Sequence, residues 1–157
     1  IAPHSAARNK IVEHFLSTEH EYLLMVDSDT IPPDNALHLL EPHIASNTKI
    51  VTGITHILRA EGPRANVYIN TVDVEHPSKI EDLPKEPFTV AGCGASFLLV
   101  HRSIFEAIPK PWFKTIEFDN GNICSEDLYF CEQARNAGFE IVCDPAIVCG
   151  HAKTMII

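Results

Sequence analysis

Long apolar runs are missing from this chain: no stretch approaches the length that crosses a bilayer as a helix, and nothing has the build of a signal peptide. Cysteine pairs at metal-binding or redox spacing are missing as well. The five cysteines (Cys93, Cys124, Cys131, Cys143 and Cys149) form no CxxC pair. Their odd number, in a chain long enough to build a core unaided, argues for reduced thiols and a cytoplasmic location over a disulfide framework. Basic charge is scarce, with 12 Lys and Arg against 21 Asp and Glu, a net charge of −9 and a pI of about 5.4. That balance excludes a broad electrostatic footprint for nucleic acid. A phosphate-bearing ligand would need a local cation, which suggests a metal. Internal repeats, low-complexity tracts and interdomain linkers are absent, so one domain over residues 1–157 is expected. The chain opens on Ile1, not Met, which suggests a processed or excerpted piece of a longer protein.

What is present is ordinary for a globular protein. Hydrophobic residues make up 45% and charged residues 21% of the 157, with a mean hydropathy of +0.02. A chain of this size buries roughly two-thirds of the surface its unfolded form exposes.

The chain is organised around residues 21–33. Residues 22–27 are apolar without alternation up to Asp27, which predicts a short strand covered on both faces. The run ends in Asp27-Ser28-Asp29. If the backbone stays extended, carboxylates at i and i+2 leave on the same side, where two hard oxygen donors can share a divalent cation. In an open α/β sheet the carboxyl ends of strands are where ligands bind. The bland alternative is a pair of solvated turn carboxylates ahead of Pro32-Pro33.

Around this strand the spacing predicts a helix over 6–18 with Ser5 as N-cap, a second over 35–45 capped by Asp34, and a strand over 49–58. This order is an α/β unit. Residues 66–74 read as a strand or hairpin arm and 76–87 as a loop, the whole of 59–88 being a variable insertion. Gly92-Cys93-Gly94 precedes an apolar strand within 90–100, and its glycines permit close approach of another segment or a ligand. Ser103 can cap a short helix over 104–108, and 109–122 reads as a loop carrying Trp112, the only tryptophan. The best-defined helix runs from the Ser125 N-cap to the Gly138 stop, with Glu126 and Asp127 at its positive end. Strands over 139–143 and 146–151 close the domain.

The ordered set Asp27-Ser28-Asp29, Ser125-Glu126-Asp127 and His151 resembles nucleotide-sugar glycosyltransferases of the GT-A fold. Supporting matches are Ala7-Arg8-Asn9, Gly92-Cys93-Gly94, and Arg135 to Phe139 leading into Asp144-Pro145. The resemblance spans most of residues 6–153. It implies a Rossmann-like mixed sheet flanked by helices, lacking at the N-terminus the half that binds the nucleobase.

It further implies Mn²⁺ or Mg²⁺ held against the diphosphate of a UDP- or GDP-sugar, with Asp29 the primary ligand, Asp27 its partner and His151 a third. Asp127 would be the general base of an inverting transfer to a hydroxyl acceptor (glycan, lipid or protein), and Glu126 would orient acceptor or base. Arg8 and Asn9 would face the nucleotide, Gly92 and Gly94 would admit the donor, and Trp112 would stack on a sugar ring.

Beside these stand plainer readings. Ser125-Glu126-Asp127 can be only a helix cap, His151 a packing or surface histidine, Trp112 core, and Cys93 a small filler. A sugar nucleotidyltransferase is disfavoured because no glycine-rich basic loop stands near the start, and a remnant that binds carbohydrate or metal without catalysis is the non-enzymatic rival.

Overall fold

The computed structural model describes residues 3–72 and 76–152, so the end of the arm read over 66–74, and Lys153 at the end of the resemblance, lie outside the described residues. The protein is a mixed α/β structure in which a seven-stranded sheet is flanked by helices. The helices are α1 (His4–Leu16), α2 (Ala36–Ala45), α3 (Arg102–Ala107) and α4 (Glu126–Asn136). The main path of the sheet runs β1 (Tyr22–Val26), β8 (Phe97–His101), β3 (Ile50–Arg59), β11 (Ile141–His151) and β2 (Thr30–Ile31). Off this path, β4 (Gly62–Ala65) pairs with β3 and β6 (Phe88–Val90) with β11; β5 (Val67–Tyr68) and β7 (Gly92–Cys93) form a separate pair, as do β9 (Ile116–Glu117) and β10 (Ile123–Cys124).

β8 is antiparallel to both β1 and β3, and β3 is parallel to β11. β1, β3 and β11 therefore run the same way, and their carboxyl ends lie at one end of the sheet.

Alternation sorts the core into two layers. Leu98 and Val100 of β8 join Val12, Phe15, Ile104 and Phe130 from α1, α3 and α4, whereas Phe97 and Leu99 face Ala36 and Leu40 of α2. With both faces covered, β8 carries a continuous apolar run. β11 is odd in this respect: Ile141 and Cys143 belong to the first layer, Ile147 and Cys149 to the second. The pairing explains it. Cys143 pairs with Thr52 but Val148 pairs with Ile54, so β11 carries three more residues than β3 over this interval. An odd insertion reverses which face each residue meets. Ala146 N donates to Asp144 Oδ1 at 2.9 Å inside the irregularity, and Asp144 Oδ2 meets His43 Nε2 of α2 at 2.6 Å. At Gly53, beside it, a Cβ would stand 2.7 Å from Ile147 Cγ2, which excludes a side chain there without movement. All five cysteines are free thiols, and burial pushes Cys143 up to about 12.

Several local expectations are corrected. The strand read over 22–27 ends at Val26 and stands at the edge of the main path beside β8; its faces are covered as expected, Leu23 and Met25 packing in the first layer and Tyr22 and Leu24 against the second, while Val26 at its end is 41% exposed. α1 begins at His4 after Pro3, which places Ser5 inside the helix, and α2 is capped by Asn35, not Asp34. His101, not Ser103, caps α3, its ring accepting from Ser103 N. The loop read over 109–122 contains β9, the first arm of a hairpin. The two closing strands are the single bulged β11.

Candidate functional site

The acidic pair does not continue an extended strand. Asp27 N donates to Ser96 O at 3.0 Å, and Thr30 N donates to Asp27 O at 3.0 Å, closing a turn between β1 and β2. The two carboxylates accordingly have different partners. Asp27 Oδ1 accepts from Arg8 Nη2 at 2.9 Å, while Asp29 Oδ2 meets His151 Nε2 at 2.9 Å. β-pairing brings the latter two together, because His151 on β11 is in register with Thr30 on β2 and Ala152 N donates to Asp29 O at 2.7 Å. The hydrogen bond from His151 holds the Asp29 carboxyl below its ordinary value.

Arg8 lies at the other side of the turn. Only 8% exposed, it sits on the buried side of α1 with Val12 and Phe15 and reaches two motifs at once: besides Asp27, its Nε donates to Glu126 Oε1 at 3.4 Å. It also donates to Ala95 O at 3.5 Å. The guanidinium thus joins the acidic turn to the start of α4. Its partners are two carboxylates, a carbonyl and the Met25 sulfur of this chain, in place of the nucleotide contact that was expected.

Asn9 likewise serves the fold. Its Nδ2 donates to Phe113 O at 2.8 Å, and its Oδ1 accepts from Trp112 N and Phe113 N at 3.1 and 3.0 Å. Trp112 is 2% exposed, its indole donating to Phe105 O at 2.8 Å and its ring set edge-on to Phe105. It is a core residue with no face open to a sugar. Gly92 is buried against Leu128 and does not line the cleft described below.

α4 delivers Asp127. Ser125 is the N-cap as expected, but its hydroxyl donates to Asp127 Oδ1, which also accepts from Leu128 N at 2.8 Å. With Oδ1 engaged, Oδ2 stands toward Gly94, where a Cβ would lie 3.5 Å from it and 3.3 Å from Asn66 Nδ2. Glycine at 94 therefore keeps this approach open.

Asn66, Thr55 and Ser96 were not singled out in the sequence. Asn66 is 7% exposed; its Oδ1 accepts from Thr55 N at 2.8 Å and its Nδ2 donates to Ser96 Oγ at 3.0 Å, while Ser96 Oγ and Thr55 Oγ1 share a hydrogen at 2.8 Å. Its backbone joins in, accepting from Gly94 N at 2.9 Å. This network fixes the floor between β3 and β8. The only sequence signal for it is Ser96 two residues after the glycine pair.

Asp27, Asp29, Asp127, His151, Gly94 and Asn66 all border one cleft of about 260 Å³. It opens at the carboxyl ends of β1 and β11, where the open-sheet rule places ligands. Among the described residues bordering it three are carboxylates and none is Lys or Arg, an electrostatic setting that favours an anionic ligand accompanied by a cation. Thr30 borders it too, and its buried hydroxyl has no hydrogen-bond partner among the described residues. Among the described residues no group of three His, Cys, Asp or Glu side chains is arranged to hold a metal. The expected set of Asp27, Asp29 and His151 is thus brought to one cleft but not to one point, because Arg8 engages Asp27. Of these groups Asp29 is the hard oxygen donor of the type Mg²⁺ and Mn²⁺ take, its Oδ1 not engaged by His151, and such ions bind through one or two carboxylates with phosphate and water completing the shell.

No helix among the described residues is long and apolar enough to cross a membrane. No family model matches the chain, and no curated protein matches it. The crystal structure of A197 from STIV is similar in fold, with a TM-score of 0.65 at 20% identity over 96% of this chain and 68% of that one. The likeness shows the fold alone: a mixed sheet flanked by helices of a kind already seen in a solved structure.

Proposed function

We propose that this chain carries the catalytic cleft of a metal-dependent glycosyltransferase, which moves a sugar from a UDP- or GDP-sugar to a hydroxyl acceptor with inversion. The observation that carries the reading is the convergence of Asp29, His151 and Asp127 on one cleft, although they lie on three elements far apart in the chain. Asp29 and His151 would hold Mn²⁺ or Mg²⁺ there, Asp27 standing beside them on Arg8. The ion's chemistry is charge neutralisation: it offsets the negative charge that develops on a diphosphate leaving group.

The chain's own residues do the rest. The acceptor oxygen bonds to the anomeric carbon as the bond from that carbon to the diphosphate oxygen breaks, and the hydroxyl proton passes to Asp127. Its Oδ1 is held by Ser125 and Leu128 N, which leaves Oδ2 as the accepting atom. Glu126, paired with Arg8, is a positioning residue that fixes the first turn of α4 relative to the acidic turn. The Asn66, Thr55 and Ser96 network keeps the floor rigid, which preserves the reacting geometry.

The Arg8–Asp27 pair favours a second reading, a cleft that binds nucleotide and metal without turnover, since it withdraws one carboxylate from any metal. Calorimetry with Mn²⁺ and UDP or GDP addresses what both share. Nucleotide binding is expected to require the ion and to be lost in Asp29→Ala; metal-independent binding, or none at all, would overturn both. Turnover of a nucleotide sugar then separates them.

A further inference from the structure

A second and larger hollow, of about 830 Å³, lies on the far side of Leu128 from the acidic cleft. Its floor is α4, from Leu128 to Arg135, and one wall is the hairpin of β9 and β10. The hairpin presents large apolar side chains to solvent: Phe118 is 50% and Ile123 54% exposed. Carboxamides border the same hollow, Asn120 and Asn122 from the hairpin turn and Asn70 from the segment after β5. The turn itself is braced, since Gly121 N donates to Phe118 O at 2.8 Å, Phe118 N to Asn122 O at 2.9 Å and Asn122 N to Asn120 Oδ1 at 3.0 Å. Among the described residues the charged ones bordering the hollow are Glu132 and Arg135, one of each sign, one turn apart on α4.

This lining discriminates among ligands. A nucleotide or charged peptide would meet no net opposite charge, and a lipid chain would leave the amides unpaired. A neutral sugar suits both features, because carboxamides donate and accept to hydroxyls and an exposed aromatic ring takes the apolar face of a pyranose. The hollow also falls within the size range of ligand sites, roughly 300–1,000 Å³. Leu128 borders both hollows and directly follows Asp127 in the chain. We infer that this groove binds a neutral oligosaccharide, stacked on Phe118, and presents one of its hydroxyls across Leu128 to Asp127. The saccharide site stands on its own lining; its role as the acceptor site rests on the glycosyl-transfer reading.

The test is amide NMR shift mapping on the whole chain with maltotriose, cellotriose and mannotriose as probes, beside an uncharged Ser-Ala-Ser peptide and phosphatidylglycerol vesicles. At least one trisaccharide is expected to shift Phe118, Asn122, Ile123 and Glu132. Phe118→Ala is expected to weaken its Kd by roughly tenfold, the worth of one aromatic stack, and Phe118→Tyr to restore it. Phe118 is exposed at a hairpin tip, so the substitution spares the core. Absence of saccharide shifts, shifts confined to other surfaces, unchanged binding by Phe118→Ala, or peptide or vesicle shifting these amides in place of saccharide would each overturn the inference. Asp29→Ala should leave saccharide binding intact. If wild type never turns over a nucleotide sugar yet the trisaccharide still maps here, the transfer reading fails and the saccharide site holds. If turnover occurs and Phe118→Ala leaves the acceptor KM unchanged, the groove fails and the transfer reading holds.

Discussion

Arg8 and Asp27 meet at 2.9 Å, and the same guanidinium reaches Glu126 Oε1 at 3.4 Å, so one buried side chain couples the acidic turn to the helix that carries Asp127. Removing it would leave Glu126 facing the protein interior without its cation. Arg8→Ala is expected to destabilise the fold by about 3 kcal/mol, toward the low end for a broken buried pair because Asp27 is partly solvated. Arg8→Lys should recover part of this, since an ammonium cannot serve both carboxylates in fork geometry. Urea unfolding measures it; wild-type stability in Arg8→Ala would show that the coupling is slight.

How far the sequence disclosed this arrangement follows from what each signal encodes. The 125–138 helix was legible because its cap, dipole-compensating acids and terminal glycine are local. The convergence of Asp29, Asp127 and His151 was legible as order along the chain, though not as distance. Arg8 is ambiguous in sequence, because the same Arg-Asn dipeptide suits a ligand or a buried pair, and only packing decides. Asn66 gave no signal: its role depends on lying between β3 and the turn before β8, which is a tertiary fact. The bulge in β11 was equally invisible, since the segment reads as two short strands until its pairing with β3 is known.

The contact of His151 with Asp29 has a pH signature. With its pKa depressed below 3.8, the Asp29 carboxylate favours the folded pair at all pH values above that figure, and this contribution is lost as pH falls through the lowered folded value. His151→Ala removes the largest cause, so the Asp29 carboxyl should titrate closer to 3.8. Carboxyl-detected NMR titration reads the shift directly. Since Asp29 is 53% exposed, only a small change in overall stability should accompany it. An unmoved titration would mean the contact is not formed in solution.

Trp112 provides an optical check on its own reassignment. At 2% exposure its emission should be blue-shifted and weakly quenched by acrylamide, and addition of saccharide or nucleotide should leave it unchanged. Trp112→Ala is expected to cost about 3–5 kcal/mol, as for other buried aromatics. Strong quenching, or an emission change that saturates with a sugar, would return Trp112 to the binding surface.

The central claim is tested most directly by following free UDP and GDP released from a panel of UDP- and GDP-sugars, with and without Mn²⁺, for wild type, Asp29→Ala and Asp127→Asn. Wild type is expected to release nucleotide only with the ion; Asp29→Ala should lose that release, and Asp127→Asn should keep metal-dependent nucleotide binding while transfer to a hydroxyl acceptor falls by roughly a hundredfold or more. Equal release in all three proteins, with or without Mn²⁺, would contradict the mechanism; no release from any donor by wild type would contradict the catalytic reading and leave the binding cleft.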